Sequence, residues 1–133
     1  MSEPLPKDEF DRIFTKVPRL TVEILIISEA QGVLLALRDV DPCRGNVNLP
    51  GATVRFGEPL VEAAKRVAVG ELGISVQVGS LVGYIEYPSH YENGLDSPVG
   101  PVFRSQPLDE AQPRGGGSRC YRMTCTRSRK SSS

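Results

Sequence analysis

The apolar and polar residues of this chain follow two different periods. Residues 21–28 are apolar and β-branched almost throughout, which predicts a buried strand. Residues 33–38 form a second apolar run, and residues 29–32 between the two runs have the composition of a hairpin turn. Residues 60–72 instead carry apolar side chains at spacings of three and four, as an amphipathic helix does. The pattern therefore predicts a single α/β (α+β) domain.

Glycine and proline residues mark both ends of the predicted helix. Pro50 and Gly51 form a turn dipeptide that precedes a short strand. Pro59 suits the first position of a helix, and Gly73 suits the residue after its end. Glu71 falls in the last turn and is a candidate metal ligand, with a solvated helix-end carboxylate as the alternative.

The flanking segments predict further elements of the same domain. Residues 8–16 can form a short helix that ends before Pro18. Residues 74–87 predict a strand with a bend or bulge at Gly79 or Gly83. The polar segment 88–98 predicts a loop, and residues 99–104 predict one more strand.

The segment that begins at the Pro-Gly turn resembles a Nudix box. That box runs Gly, five residues, Glu, seven residues, Arg-Glu-hydrophobic-any-Glu-Glu-any-Gly-hydrophobic. The matching positions are Glu58, Arg66, Ala68, Glu71, Gly73 and Ile74. Ala52 takes the place of the first Gly, whereas Val67 and Gly70 stand where the family usually has Glu. Helical spacing predicts that residues 67, 70 and 71 share one face.

This departure is similar to the degenerate box of the GDP-mannose mannosyl hydrolase-like branch of the Nudix family. That branch keeps the Arg and the last Glu, and it binds one Mg²⁺ through this Glu and a backbone carbonyl of the Pro-Gly turn. The resemblance implies that Glu71 and the carbonyl of Gly51 hold Mg²⁺ or Mn²⁺. It also implies a Nudix-type mixed β-sheet sandwiched by helices, with an incomplete C-terminal part. Glu58, Arg66 and Gly73 then act as structural residues of the box.

Three further residues are candidates for contacts with a substrate. Glu23 lies in an otherwise apolar strand, where a carboxylate needs a partner or a pocket. Arg38 ends the second strand, where its guanidinium suits a diphosphate; a surface ion pair is the alternative. His90, the only histidine, is a candidate general base, substrate contact or incidental loop residue. In the resembled hydrolases the base is a histidine nearer the C-terminus, and none follows His90.

The charge distribution separates the C-terminal segment from the rest. Residues 1–110 carry all 16 acidic residues and ten of the 16 Lys and Arg; residues 111–133 carry six basic residues and no acidic one. We therefore predict a Nudix-like domain over residues 1–105 and a disordered basic tail over residues 106–133. A basic arm for RNA or an anionic membrane is the alternative for this tail.

The remaining composition bounds the setting of the protein. Cys43, Cys120 and Cys125 have no metal-ligand spacing and form no even framework, which favours a reducing cytoplasm. No apolar run approaches membrane-spanning length, and the charged N-terminus is no signal peptide. We expect a small-molecule substrate and neither a membrane nor a nucleic-acid partner, while a homodimer stays open.

The sequence predicts a Nudix-type hydrolase that cleaves a nucleoside diphosphate derivative, with a nucleotide sugar as one candidate, in a Mg²⁺-dependent reaction. Two alternatives stay open. The first is a Nudix-fold binding or regulatory module with little turnover. The second is a truncated or frame-shifted, inactive product, because the box lacks two glutamates and no closing strand and helix follow.

Overall fold

The described part of the computed structural model contains two β-sheets, three α-helices and one π-helical turn. The structure describes residues 4–28, 32–37, 47–92, 94–108 and 118–121. The predicted turn at residues 29–32 lies outside the described residues except for Gly32. The mixed sheet architecture that the sequence predicts is confirmed.

The first sheet is mixed and positions Glu23 and Gly51 of the candidate site. Its strands, in spatial order, are β5 (Gly51–Thr53), β1 (Arg19–Leu25), β7 (Pro98–Pro107) and β6 (Val76–Glu86). Strand β1 runs antiparallel to β5 and parallel to β7, and β7 runs antiparallel to β6. Strand β1 is therefore central, and its side chains are flanked by residues from both neighbours.

The second sheet is built around one strand. It contains β2 (Ile27–Ser28), β3 (Gly32–Leu37), β4 (Val47–Asn48) and β8 (Ser118–Tyr121), and all three others pair antiparallel with β3. Strand β8 lies within the segment for which the sequence predicts a disordered tail. Residues 109–117 and 122–133 of that segment lie outside the described residues, so the domain boundary at residue 105 stays a prediction.

Two of the helices, α1 (Lys7–Phe14) and α2 (Leu60–Val67), begin and end close to their predicted positions, and a single π-helical turn (Ala68–Leu72) follows α2 directly. A third helix, α3 (Pro88–Glu92), was not predicted. Gly73 ends this turn with φ of 71°, a left-handed conformation that glycine adopts without steric cost. In the described segments, no helix combines the length and apolar character that a bilayer crossing demands.

The hydrophobic core lies between α2 with its π turn and one face of the first sheet. Val22 and Ile24 of β1 are fully buried there, as is Leu72 of the π turn. The core also includes Ile26, Leu34, Ala63, Ala64, Val67, Ala68, Ile74, Val76 and Phe103. The three- and four-residue spacing of apolar side chains along α2 therefore corresponds to the face that packs on the sheet.

Two elements differ from the sequence prediction. The apolar run 21–28 is not one strand: it is divided at Ile26 between the two sheets. Residues 21–24 are buried, whereas Ile27 of β2 is 41% exposed. Both parts are nonetheless mainly apolar, so the hydrophobic pattern does not reveal the crossover. The predicted loop 88–98 begins with helix α3, because Pro88 suits a first helical turn. The predicted irregularity of β6 is confirmed, since its register with β7 shifts on both sides of Leu81, next to Gly83.

Candidate active site

The face of β1 that points away from α2 carries a row of polar side chains. Arg19, Thr21 and Glu23 alternate with the core residues Val22 and Ile24, because successive side chains of a strand point to opposite faces. Thr21 and Glu23 are nonetheless only 4% exposed. Burial of these polar side chains on the face of a central strand opposite the core indicates a polar site covered by other elements.

Two glycines make room for the carboxylate of Glu23. Gly51 is its neighbour on β5, and a Cβ atom there would lie 2.6 Å from Glu23 Oε1. A Cβ atom on Gly100 of β7 would lie 3.1 Å from Glu23 Oε2 and would collide with the hydroxyl of Thr21. The Thr21 hydroxyl donates a hydrogen bond of 2.9 Å to Glu23 Oε2. The carboxylate thus occupies a niche that side chains at residues 51 and 100 would fill.

The environment of Glu23 disfavours its ionised form. Burial raises its pKa to about 7; hydrogen bonds from Thr21 and Tyr87 and the charge of Arg19 act in the opposite direction. The negative charge of Glu71 raises the pKa of Glu23 further. Burial, together with the nearby Glu23, raises the pKa of the Tyr87 hydroxyl, so Tyr87 remains a hydrogen-bond donor. The charge of Glu71 therefore acts on the Glu23 carboxylate.

The oxygen atoms of this site suit a hard divalent cation. The Glu23 carboxylate lies beside Gly51 and feels the negative charge of Glu71, and Mg²⁺ and Mn²⁺ prefer carboxylate and carbonyl oxygens. Throughout the described segments, no group of three or more His, Cys, Asp and Glu side chains converges to hold a metal. A cation bound here would therefore have few protein ligands and would keep several waters.

Glu58 and Arg66 form a clamp at the box loop, which is the segment 54–59 between β5 and α2. Arg66 donates two hydrogen bonds of 2.8 Å to the two carboxylate oxygens of Glu58 and one of 2.9 Å to the carbonyl of Thr53. The backbone N–H of Arg55 donates to the same carboxylate at 2.9 Å. Hydrogen bonding by Arg66 lowers the pKa of Glu58 to about 2. This clamp joins α2 to β5, whereas Glu62 pairs with Lys65 instead.

The prediction that residues 67, 70 and 71 share one face is wrong. Val67 is 2% exposed and packs in the core, whereas Gly70 and Glu71 are exposed. The physical reason is the π turn, which changes the number of residues per turn from Ala68 onward. A Glu in place of Val67 would therefore not project beside Glu71 without leaving the core. Single π turns of this kind occur frequently at functional sites.

His90 belongs to a second polar group beside the first. Its Nδ1 atom lies 2.8 Å from Asp96 Oδ1, and Asp96 Oδ2 accepts a hydrogen bond of 2.9 Å from Nε of Arg19. The same arginine donates to the hydroxyl of Thr53 at 2.6 Å. The ring of Tyr87 lies 5.5 Å from the His90 ring, measured between centroids. His90 is thus ordered by its neighbours rather than placed in an open loop.

The structure places Glu23 beside Gly51 and connects it through Tyr87 to His90, and the charge of Glu71 acts on Glu23. Arg38 lies outside the described residues, so its predicted contact with a diphosphate stays a prediction. Four residues of this site were not predicted from the sequence: Thr21, Tyr87, Asp96 and Gly100. An alternating polar pattern at residues 19, 21 and 23 was the available signal for Thr21, whereas nothing local marked the other three.

One curated protein and several solved structures are similar to this chain. Among curated proteins the chain is similar to the low-salt glycan biosynthesis protein Agl8 of Haloferax volcanii, with 40% identity over 95 residues. The match covers 70% of this chain and 60% of the relative, so the chain spans less than two thirds of the relative's length. No protein-family model matches the sequence.

Solved structures show the same fold. A MutT Nudix hydrolase from Burkholderia pseudomallei aligns with a TM-score of 0.68 and 23% identity, covering 79% of this chain and 83% of that one. A Nudix hydrolase from Nitrosomonas europaea aligns with a TM-score of 0.63 and 27% identity, covering 79% and 57%. A MutT protein from Methanosarcina mazei aligns with a TM-score of 0.66 and 22% identity, covering 79% and 77%. The chain has the Nudix fold, and its predicted resemblance to the Nudix hydrolases is confirmed.

Proposed function

We propose that this chain is a hydrolase of nucleoside diphosphate derivatives, that a nucleotide sugar is its substrate, and that Mg²⁺ or Mn²⁺ is its cofactor. The observation that carries the proposal is the Glu23 carboxylate, buried between Gly51 and Gly100 and within the electrostatic field of Glu71. The hydrolase class is supported by solved structures of Nudix hydrolases with the same fold.

Glu71 and the carbonyl oxygen of Gly51 would hold the cation, and Glu23 would face it from β1. When bound, the cation neutralises the diphosphate and stabilises it as a leaving group. The carboxylate of Glu23 is kept in place by hydrogen bonds from Thr21 and Tyr87. Arg38 would contact the diphosphate from the end of β3.

Two considerations favour a nucleotide sugar. The curated relative is named for glycan biosynthesis, and such a name favours a sugar-containing substrate. The box offers one carboxylate, Glu71, where three are usual, which leaves few ligands to polarise an attacked phosphorus. Attack of water on the anomeric carbon of the sugar needs the cation only to stabilise the departing diphosphate. We therefore propose cleavage at carbon.

A turnover assay tests the cation site directly. The wild type should hydrolyse at least one member of a panel of nucleoside diphosphate compounds when Mg²⁺ is present. We expect Glu71→Gln to lower kcat/KM by more than about tenfold, because removal of even an outer partner of a metal ligand costs about 10–100-fold. Glu62→Gln is the matched control, since Glu62 lies half exposed on the same helix and pairs with Lys65. Equal losses in the two variants would contradict the assignment.

A separate labelling experiment determines which bond is cleaved. Hydrolysis in ¹⁸O-labelled water places the label in the sugar when carbon is attacked and in the phosphate product when phosphorus is attacked. Mass spectrometry of both products distinguishes the two outcomes. Label in the phosphate product would reject cleavage at carbon while leaving the hydrolase proposal intact.

The burial of Val67 favours a second candidate function, a Nudix-fold binding module. Val67 is a core residue where the family usually has a glutamate, so the site has one carboxylate fewer to bind a cation. This candidate predicts tight binding of a nucleoside diphosphate compound by calorimetry together with no turnover across the panel. Detectable, Mg²⁺-dependent turnover that is lost in Glu71→Gln would exclude it.

A further inference from the structure

His90, Asp96 and Arg19 form a chain of polar contacts that the cation site does not need. Asp96 accepts from Nε of Arg19 at 2.9 Å through one carboxylate oxygen and faces Nδ1 of His90 at 2.8 Å through the other. Both Arg19 and Asp96 have side chains only 15% exposed, and that of His90 is 24% exposed. Such charge-assisted contacts in a half-buried position fix the plane of the imidazole ring.

This chain of contacts is joined to the niche of Glu23 by one side chain. The Tyr87 hydroxyl donates to Glu23, and its ring lies 5.5 Å from that of His90. Arg19 adds a second connection, because its positive charge acts on Glu23 and its Nε contacts Asp96. The Tyr87 side chain therefore connects His90 to the Glu23 carboxylate.

We propose that His90 is the acid–base group of the reaction and that Asp96, held by Arg19, is its positioning residue. The proposal rests on the proposed function and deepens it. When the neutral ring donates Nδ1–H to Asp96, its Nε2 is unprotonated and can accept a proton. The pair thus provides an oriented base at a half-buried position.

Nε2 of His90 takes a proton from the attacking water while the water oxygen forms a bond to the anomeric carbon. The carbon–oxygen bond to the diphosphate breaks, and its electron pair leaves with the diphosphate. The imidazolium then returns its proton to the diphosphate or to solvent. Asp96 stabilises the imidazolium and does not take the proton.

Because this chain has a single histidine, the positioning role of Asp96 can be measured by NMR without a turnover assay. ¹⁵N-histidine labelling gives one imidazole, whose two nitrogen shifts report the tautomer directly. The wild type should show the tautomer with hydrogen on Nδ1. In Asp96→Asn the amide can donate to Nδ1, so we expect the population to shift to hydrogen on Nε2. An unchanged tautomer in Asp96→Asn would overturn the positioning role of Asp96.

Kinetics of the same variants test the catalytic role. We expect His90→Gln to lower kcat by about 100-fold or more, in the range usual for general acid–base groups, with KM changed little. Asp96→Asn should lower kcat by at least about tenfold, and the double variant should be no slower than His90→Gln alone. Asp11→Asn is the matched control, because Asp11 is an exposed carboxylate of α1 that pairs with Lys7.

The outcomes separate this inference from the function on which it rests. Wild-type kcat in His90→Gln, together with loss in Glu71→Gln, overturns the inference and leaves the hydrolase proposal standing. No turnover by the wild type overturns both. Thermal melts of each variant accompany the assays, and His90→Asn provides a second, smaller replacement. A loss of kcat in both folded His90 variants supports the inference.

Discussion

Replacement of Glu58 by Gln tests whether the Glu58–Arg66 clamp holds the box loop on α2. The Glu58 side chain is fully buried and accepts two hydrogen bonds from Arg66 and one from the Arg55 backbone. Gln keeps the volume of the side chain but offers Arg66 only one acceptor oxygen. It also turns an NH₂ group toward a donor and leaves the Arg66 charge without its partner.

The pKa of Glu58 sets the expected magnitude. The difference between the ordinary carboxyl pKa of 4.5 and about 2 corresponds to roughly 3 kcal/mol of stabilisation of the ionised form. The side chain of Arg66 is 26% exposed, so solvent screens part of this interaction. We expect Glu58→Gln to lower the free energy of unfolding at pH 7 by about 2 kcal/mol.

The same pKa gives the sign of the pH dependence. Because the folded-state pKa of Glu58 lies below its ordinary value, its stabilisation is fully present above about pH 4.5 and is lost as the pH falls toward 2. The difference in stability between the wild type and Glu58→Gln should therefore be constant from pH 5 to pH 8. It should shrink between pH 4.5 and pH 2.

Urea unfolding followed by circular dichroism measures this difference across the pH series. Arg66→Gln and the double variant complete a thermodynamic cycle in which most of the loss should be shared. Glu62→Gln serves as a control on the same helix, with an expected change within about 0.5 kcal/mol. A loss below about 0.5 kcal/mol for Glu58→Gln at pH 7, or one that does not diminish at low pH, would refute the reasoning.

Three further predictions concern the site. Val67→Glu should lower the free energy of unfolding, measured by urea titration, by at least about 3 kcal/mol, because it buries an unpaired carboxylate. Gly70→Glu should not lower it, since nothing lies within 4 Å of a Cβ atom at that residue. Gly100→Ala should displace the Glu23 carboxylate and weaken Mn²⁺ binding in calorimetry, while Gly70→Ala should leave it unchanged. A chelator should abolish turnover, and added Mn²⁺ should restore it; activity that survives chelation would reject the cofactor.

The sequence by itself determined the elements whose contacts are close along the chain. The Pro-Gly turn, the amphipathic helix and the stop at Gly73 depend on backbone preferences and on neighbours three or four residues away. The Glu58–Arg66 clamp spans only eight residues within that frame. These features were predictable because their physical causes act within a few turns of the same segment.

The burial of Val67 shows where that local reasoning stops. Regular helical spacing places residues 67 and 71 on one face, yet the π turn and the packing of α2 on the sheet put Val67 in the core. Likewise, the apolar run 21–28 is continuous in sequence but divided between two sheets. Packing decided both the burial of Val67 and the division of residues 21–28. The hydrophobic effect is non-directional: it favours burial of a side chain but does not select the surface against which the side chain packs.

Only the tertiary structure decided the composition of the candidate site. Parallel pairing of β1 with β7 brings Asp96 to Arg19, which lies 77 residues away in sequence, and brings Gly100 to Glu23. No local pattern marks Gly100 as the residue that clears space for a carboxylate, or Asp96 as the partner of His90. Strand order sets these neighbours, and strand order results from the burial of whole elements rather than from the preferences of any single segment.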